Sequence, residues 1–303
     1  MTTFQPFPII EVTAAMRSSS EVEQLGSKPK FWFKYEGENW LFKEARENTG
    51  EDWSEKLASE IAFLLELPTH HAELAIWDGK RGCAVKSFLT TPESVLVHGN
   101  ELLGGLLTGY DTEKHRGQAE HTFDNIVTVL EKLFPLRKEQ RAAALRMVGY
   151  LVLDALVGNT DRHHQNWGVL LDHKHLTEHP ATLSLQLAPT FDHASSLGRK
   201  LTDSARKRHL REGTVESYIK KGKGGIFENA TAKNGMSPIA LTQLLAQRYP
   251  DLFKPWQTRV INLPKEAFGN LIERIPNERI SPQGRAFALA FLATSSKLIR
   301  DNV

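Results

Sequence analysis

Asp161 stands five residues before Asn166 in the polar stretch Gly158-Asn159-Thr160-Asp161-Arg162-His163-His164-Gln165-Asn166-Trp167, and Asp192 follows in Ala188-Pro189-Thr190-Phe191-Asp192-His193. Oxygen-bearing side chains in this order suit phosphoryl transfer. One carboxylate in a loop accepts the proton of an attacking hydroxyl, while an amide and a second carboxylate hold a metal ion on nucleotide phosphates. Asp and Asn are also ordinary turn formers, because their side chains hydrogen-bond the local backbone, so the D-x-x-x-x-N spacing alone says little.

The surrounding pattern adds weight. Residues 139–158 form a long amphipathic run, with Ala142, Leu145, Val148, Leu151, Val152, Ala155 and Leu156 at helical spacing and a stop at Gly158-Asn159. The polar loop comes next, then apolar strands over residues 167–171 and 183–187, then Asp192. Helix, loop, strand, strand and acid is the order of a kinase catalytic core. Such a core also needs a cation on the phosphates and a carboxylate to hold that cation. Residues 39–45 read as a strand carrying Lys43, and a helix over about 54–65 carries Glu60 at a separation that reaches back to it. The polar segment 17–30, ahead of that strand, suits a phosphate loop. Residues 82–89 read as a strand ending at the break Thr90-Thr91-Pro92, a hinge whose backbone meets adenine near Lys86 and Phe88. Helices are expected at 120–134, 237–248, 265–272 and 281–300. The fold expectation is therefore α+β and two-lobed, with a small β-rich N-lobe over 1–91 and a mostly helical C-lobe over 92–303.

These motifs resemble the HipA-like serine/threonine kinases, the toxin kinases of bacterial toxin–antitoxin systems. The family's Asn-x-Asp-x-His-x-Lys-Asn loop matches Asn159, Asp161, His163 and Asn166, with Gln165 in place of Lys. Its Pro-x-Tyr-Asp segment matches Pro189-Thr190-Phe191-Asp192, with Phe for Tyr, and its Gly-x-Gln-x-Lys phosphate loop is matched by Gly26-Ser27-Lys28-Pro29-Lys30. The resemblance implies Asp161 as catalytic base, Asn166 and Asp192 as Mg2+ ligands, Lys43 as phosphate contact, and Glu60, Gly26, Ser27, Lys28 and His163 around bound ATP. It also implies a protein substrate such as an aminoacyl-tRNA synthetase or another translation factor, an antitoxin partner, and inhibitory autophosphorylation on Ser27 or one of Ser18, Ser19 and Ser20. Longer family members carry an additional N-terminal subdomain, so the chain looks like the short, stand-alone form. The Asp-Arg-His-x-x-Asn wording of 161–166 also resembles the loop of phosphatidylinositol-type kinases. A non-protein substrate, or a kinase-like partner protein that binds nucleotide without turnover, therefore stays open.

Composition is compatible with this reading. The chain has 303 residues, 40% hydrophobic and 24% charged, with a net charge of +2. That is long enough for two lobes with a cleft between them. A single cysteine, Cys83, excludes an internal disulfide, and no signal peptide or membrane span is legible, so a cytoplasmic location without membrane association is expected. Residues 199–223 carry nine Lys or Arg against Asp203, Glu212 and Glu216. They read either as a substrate-docking surface or as a solvated loop, and direct nucleic-acid binding is not expected. Adjacent histidines at 70–71 and 163–164 lack the spacing of a hydrolase metal site.

Overall fold

The computed structural model describes residues 4–22, 30–89, 91, 93–174 and 182–302. Alternating aromatic and β-branched residues build a six-stranded N-terminal sheet in the order β1-β5-β6-β4-β3-β2. Its strands are β1 (Ile9–Val12), β2 (Arg17–Val22), β3 (Lys30–Tyr35), β4 (Glu38–Glu44), β5 (Ala72–Trp77) and β6 (Lys80–Lys86). Two of its hairpins close through Glu36-Gly37 and Asp78-Gly79, all four residues at positive φ (52°, 80°, 49° and 72°). Two-residue turns of that hand match the twist of the flanking strands, and glycine at the second position removes the steric cost. β1 runs parallel to β5, and the other pairings are antiparallel.

The pleat gives this sheet two distinct faces. Phe31, Phe33, Trp40, Phe42, Ala75 and Ala84 make an apolar cluster with Ile10 and Val12 on one side. Leu41, Ala72 and Val85 lie on the other, and the register puts Lys43 beside Cys83 and Leu74 on that same face. Helix α1 (Glu51–Leu64) packs on β5 and β6 there. It begins three residues before the expected start, and its first six residues are buried.

A second, three-stranded sheet of β7 (Val95–His98), β8 (Gly168–Lys174) and β9 (Thr182–Leu187) adjoins the helical part. Nine more helices follow among the described residues: α2 (Gly99–Leu106), α3 (Phe123–Leu133), α4 (Arg137–Val157), α5 (Asp203–Glu212), α6 (Val215–Lys221), α7 (Pro238–Arg248), α8 (Pro250–Asn262), α9 (Ala267–Glu273) and α10 (Pro282–Arg300). Residues 147–157 of α4 are buried without a gap, because α3, α7, α8 and α10 surround the helix. A helix enclosed on all sides needs no polar stripe. Where the sequence reading left residues 199–223 between docking surface and loop, the structure has α5 and α6. Residues 17–22, read as part of a phosphate loop, pair with β3 as a strand. Gly26, Ser27 and Lys28 lie outside the described residues. No helix among the described residues is long and apolar enough to cross a membrane. The chain is thus a two-lobed α+β structure, as its element order suggests.

Candidate active site

Helix α4 ends at Gly158, whose left-handed backbone (φ 69°) turns the chain into the loop 159–167. Any Cβ there would sit 2.2 Å from the Phe291 ring, so glycine is required on two counts. The loop is organised around a buried guanidinium. Arg162 gives Nε to Asp154 Oδ2 (2.7 Å) and Nη2 to Asp154 Oδ1 (2.8 Å), a two-pronged pair with a carboxylate of α4. Its Nη2 also reaches Thr190 Oγ1 (2.9 Å), and Nη1 donates to the Asn166 carbonyl (2.5 Å) and the Phe191 carbonyl (3.3 Å). One side chain therefore joins the segment bearing Asn166 to the segment bearing Asp192. Asn159 completes the frame, donating to Asp154 (2.9 Å) and accepting from the Asp161 N–H (3.1 Å).

Asp161, Asn166 and Asp192 are consequently brought together. Asn166 Nδ2 donates to the Asp161 carbonyl (2.7 Å), which fixes the amide so that Oδ1 has no hydrogen bond among the described residues. Asp161 Oδ2 accepts from the Ser195 hydroxyl (3.1 Å). Asp192 sits at φ 61°, a left-handed conformation that aspartate tolerates better than most residues. Strain of this kind persists where surrounding contacts hold it, and it concentrates at functional sites. Here the holding contacts are the Arg162 bond to the preceding carbonyl and the salt bridge from Lys43 Nζ to Asp192 Oδ1 (3.1 Å). The Lys43 ammonium holds the Asp192 carboxyl below its usual range. Burial opposes charge on Lys43, but Asp192 and Glu55 outweigh it and raise its pKa.

Glu60, expected to pair with Lys43, does not do so. Its carboxylate accepts from Lys56 within α1 (2.6 Å). The buried carboxylate whose charge acts on Lys43 is Glu55, more than one helical turn earlier. Glu55 Oε1 lies 2.8 Å from His70 Nε2 and accepts the His193 N–H at 2.9 Å. Burial disfavours its charge, yet Lys43 and His70 hold its pKa well below normal. A signal for Glu55 existed in the sequence: Ala58, Ser59 and Ala62 follow it at helical spacing, a small-residue stripe that lets α1 approach the sheet, whereas Glu60 has Lys56 one turn back. Asp154, the only acid within the apolar run 147–157, was equally visible and was not read as functional.

The remaining expected positions divide. The Phe88 ring lies 5.7 Å from that of Phe191, against the segment bearing Asp192. His163 Nδ1 accepts the Gln165 N–H (3.3 Å), which buttresses the loop. The Lys86 side chain instead points away from the Lys43 face and pairs with Glu38 (2.9 Å), because Lys86 is opposite Trp40 in the register and successive strand residues alternate faces.

Among the described residues no group of three or more His, Cys, Asp or Glu side chains forms a metal cage. The donor set of Asp192 carboxylate and Asn166 amide oxygen nonetheless fits Mg2+. That ion demands oxygen ligands, keeps several waters, and usually takes one or two carboxylates plus phosphate oxygens.

A β-rich lobe carrying a lysine, a helix with a buried glutamate against it, and a helical lobe with this loop and acid define a kinase-like fold. The structure of the Helicobacter pylori proinflammatory kinase CtkA is similar at a TM-score of 0.78 with 18% identity, over 97% of this chain and 98% of that one. HipA of Shewanella oneidensis MR-1, solved with HipB and operator DNA, is similar at a TM-score of 0.58 with 11% identity, over 95% of this chain and 67% of that one. No curated protein sequence matches the chain. The sequence profile of the HipA-like C-terminal domain matches residues 24–245. The chain belongs to that family of kinase-like phosphotransferases.

Proposed function

We propose that the protein is an ATP- and Mg2+-dependent serine/threonine protein kinase that transfers the γ-phosphate to a protein hydroxyl. The observation that carries the reading is the Arg162 junction, which ties the loop bearing Asp161 and Asn166 to the segment bearing Asp192, the carboxylate that meets Lys43. Asp161 takes the proton of the acceptor hydroxyl through its carboxylate, oriented by Ser195 and by the Asn159 contact to its backbone. Lys43 neutralises phosphate charge, and Glu55 keeps that lysine charged and placed. Asn166 and Asp192 would hold Mg2+, which when bound neutralises charge on the transferring phosphoryl group.

A translation-related substrate and inhibitory autophosphorylation belong to the same reading through the family resemblance. A HipB-like partner belongs to it through the Shewanella HipA assembly. The test is incubation with labelled ATP, magnesium and a cytosolic extract, using wild type, Asp161→Asn and Asp192→Asn. Each variant is expected to stay folded, Asp192→Asn with a lower melting temperature because it loses the Lys43 salt bridge, and to lose at least about a hundredfold in transfer rate. Transfer at the wild-type rate in either variant would remove the assignment. Intact-mass measurement after ATP exposure reports autophosphorylation, expected in wild type and missing in Asp161→Asn.

A further inference from the structure

Beside Asp161 the helical lobe holds a cavity of about 320 Å³. Its lining includes Thr160 in the loop, Ser195, Ser196, Arg199 and Lys200 after Asp192, and the end of α6 with Lys221 and Lys223, with α4, α7 and α10 behind them. Neither Lys43 nor Asp192 lines it, so it is distinct from the position proposed for the phosphates. It meets the reacting centre at Ser195, which lines the cavity and donates to Asp161.

The charge on its wall is one-sided. Arg199, Lys200, Lys221 and Lys223 contribute, and no carboxylate does. Arg199 is bound to Glu51, and Lys223 donates to Asn234 (2.9 Å). Lys200 and Lys221 are exposed at the rim and have no ion-pair partner among the described residues. Ser196, 1% exposed, also lines the cavity, and its hydroxyl has no hydrogen-bond partner among the described residues. Ile219, Ile239 and Phe291 close the interior with apolar surface. Uncompensated cations around a low-dielectric wall attract an anion more strongly than the same charges in open water. Tyr218 and Phe291 pack on each other and on Phe287 and are not splayed out as stacking platforms for bases, which favours a peptide over nucleic acid.

We propose that this cavity receives an anionic side chain, a carboxylate or a phosphoryl group, next to the acceptor hydroxyl of a peptide substrate. The word acceptor rests on the kinase reading, and the experiment separates the two by measuring binding without turnover. Fluorescent peptides with a central serine flanked by Glu, phosphoserine, Gln or Lys are titrated by anisotropy against wild type and against the double variant Lys200→Glu, Lys221→Glu. Both lysines are exposed, so the variant should fold, and its melting temperature checks this. The expected result is at least tenfold tighter binding of the Glu or phosphoserine peptide than of the Gln peptide, a difference the variant abolishes. The Glu and phosphoserine arms tell which anion is preferred. Equal affinity for Glu and Gln peptides, an unchanged preference in the variant, or equally tight binding of an RNA hairpin would overturn the proposal. Labelled-ATP transfer to the same peptides, run separately, tests the kinase reading itself.

Discussion

Glu55 and Glu60 lie on one helix and meet opposite surroundings. Glu60 pairs with the buried Lys56 ammonium, which also reaches Glu73 (3.0 Å) and not Lys43. Glu55 is wholly buried and accepts from the backbone N–H next to Asp192. A buried carboxylate persists as an anion only when charge and hydrogen bonds compensate its desolvation, and Lys43, His70 and the His193 N–H supply them. Removing that charge leaves Lys43 less anchored. Glu55→Gln is therefore expected to weaken MgATP binding or slow transfer by at least about tenfold, roughly 1.4 kcal/mol. Glu60→Gln should stay within about twofold in nucleotide binding and transfer, since Glu60 pairs with Lys56 and not with Lys43, and Glu73 still compensates the Lys56 charge. Titration of nucleotide against both variants decides between them, and equal effects would mean that Glu55 is a structural acid only.

At the scale of elements, the loop bearing Asp161 is supported from beneath by a backbone approach. Residues 224–226 run against it, and a Cβ on Gly225 would stand 2.7 Å from the Arg162 carbonyl oxygen and 2.8 Å from the His163 nitrogen. Both neighbours are main chain, so neither yields as a flexible side chain would. His121 ties the same region together, with Nδ1 donating to the Gly225 carbonyl (2.7 Å) and Nε2 accepting from the Trp167 indole (3.0 Å). Gly225→Ala is expected to displace the loop, cost about 1–3 kcal/mol of stability, and lower transfer with it. Gly105→Ala in α2, where a Cβ meets nothing within 4 Å, is the matched control and should be neutral or slightly stabilising. Thermal melts and transfer rates for the pair check this, and parallel behaviour of the two variants would remove any special role for the close approach.

Across the whole molecule, the lobes are joined through the first turn of α1. Asp52, fully buried, accepts from Arg81 of β6 (2.9 Å) and from Arg279 before α10 (3.0 Å). Ser54 donates to the Ser196 carbonyl (3.2 Å), and the Gly50 N–H to that of Arg199 (2.9 Å). This construction carries buried histidines that set its acid sensitivity. Burial pushes His121 down to about 3 and His164 down to about 4 from an ordinary 6.5. The donor–acceptor pattern of His121 already requires the neutral ring. Between pH 6.5 and about 4 the unfolded chain binds these protons and the folded chain does not, so stability falls as the pH falls through that window. The loss should reach about 2 kcal/mol per histidine by pH 5. Glu55 and Asp192, held below their ordinary values, act in the same direction at lower pH, where protonation of the unfolded chain removes the stability their charges contribute. Denaturation midpoints from pH 8 to 4.5 should therefore decline, less steeply in His121→Gln. A flat profile would contradict the neutral, buried assignment.

The linear order of the chain by itself determined the α+β class, the kinase-like succession of elements, and the grouping of Asp161, Asn166 and Asp192. These follow from local rules: the apolar period of α4, the glycine that ends it, and turn residues between short strands. The Lys43 strand was equally legible, because its alternation is contained within seven residues. Tertiary structure alone decided which glutamate of α1 faces Lys43, because two acids five positions apart project on different sides of a helix and only the packing surface selects one. It also decided that Lys86 faces outward, since one residue of strand register reverses the face. The role of Arg162 depended on it as well. A guanidinium with several donors can serve many partners, and only the meeting of α4, the loop and the Asp192 segment supplies Asp154, Asn166, Phe191 and Thr190 together. The helices α5 and α6 within 199–223 depended on it for the same reason: their charged faces are soluble on their own, and it is packing of both on α10, with Val215 and Ile219 of α6 buried, that orders them.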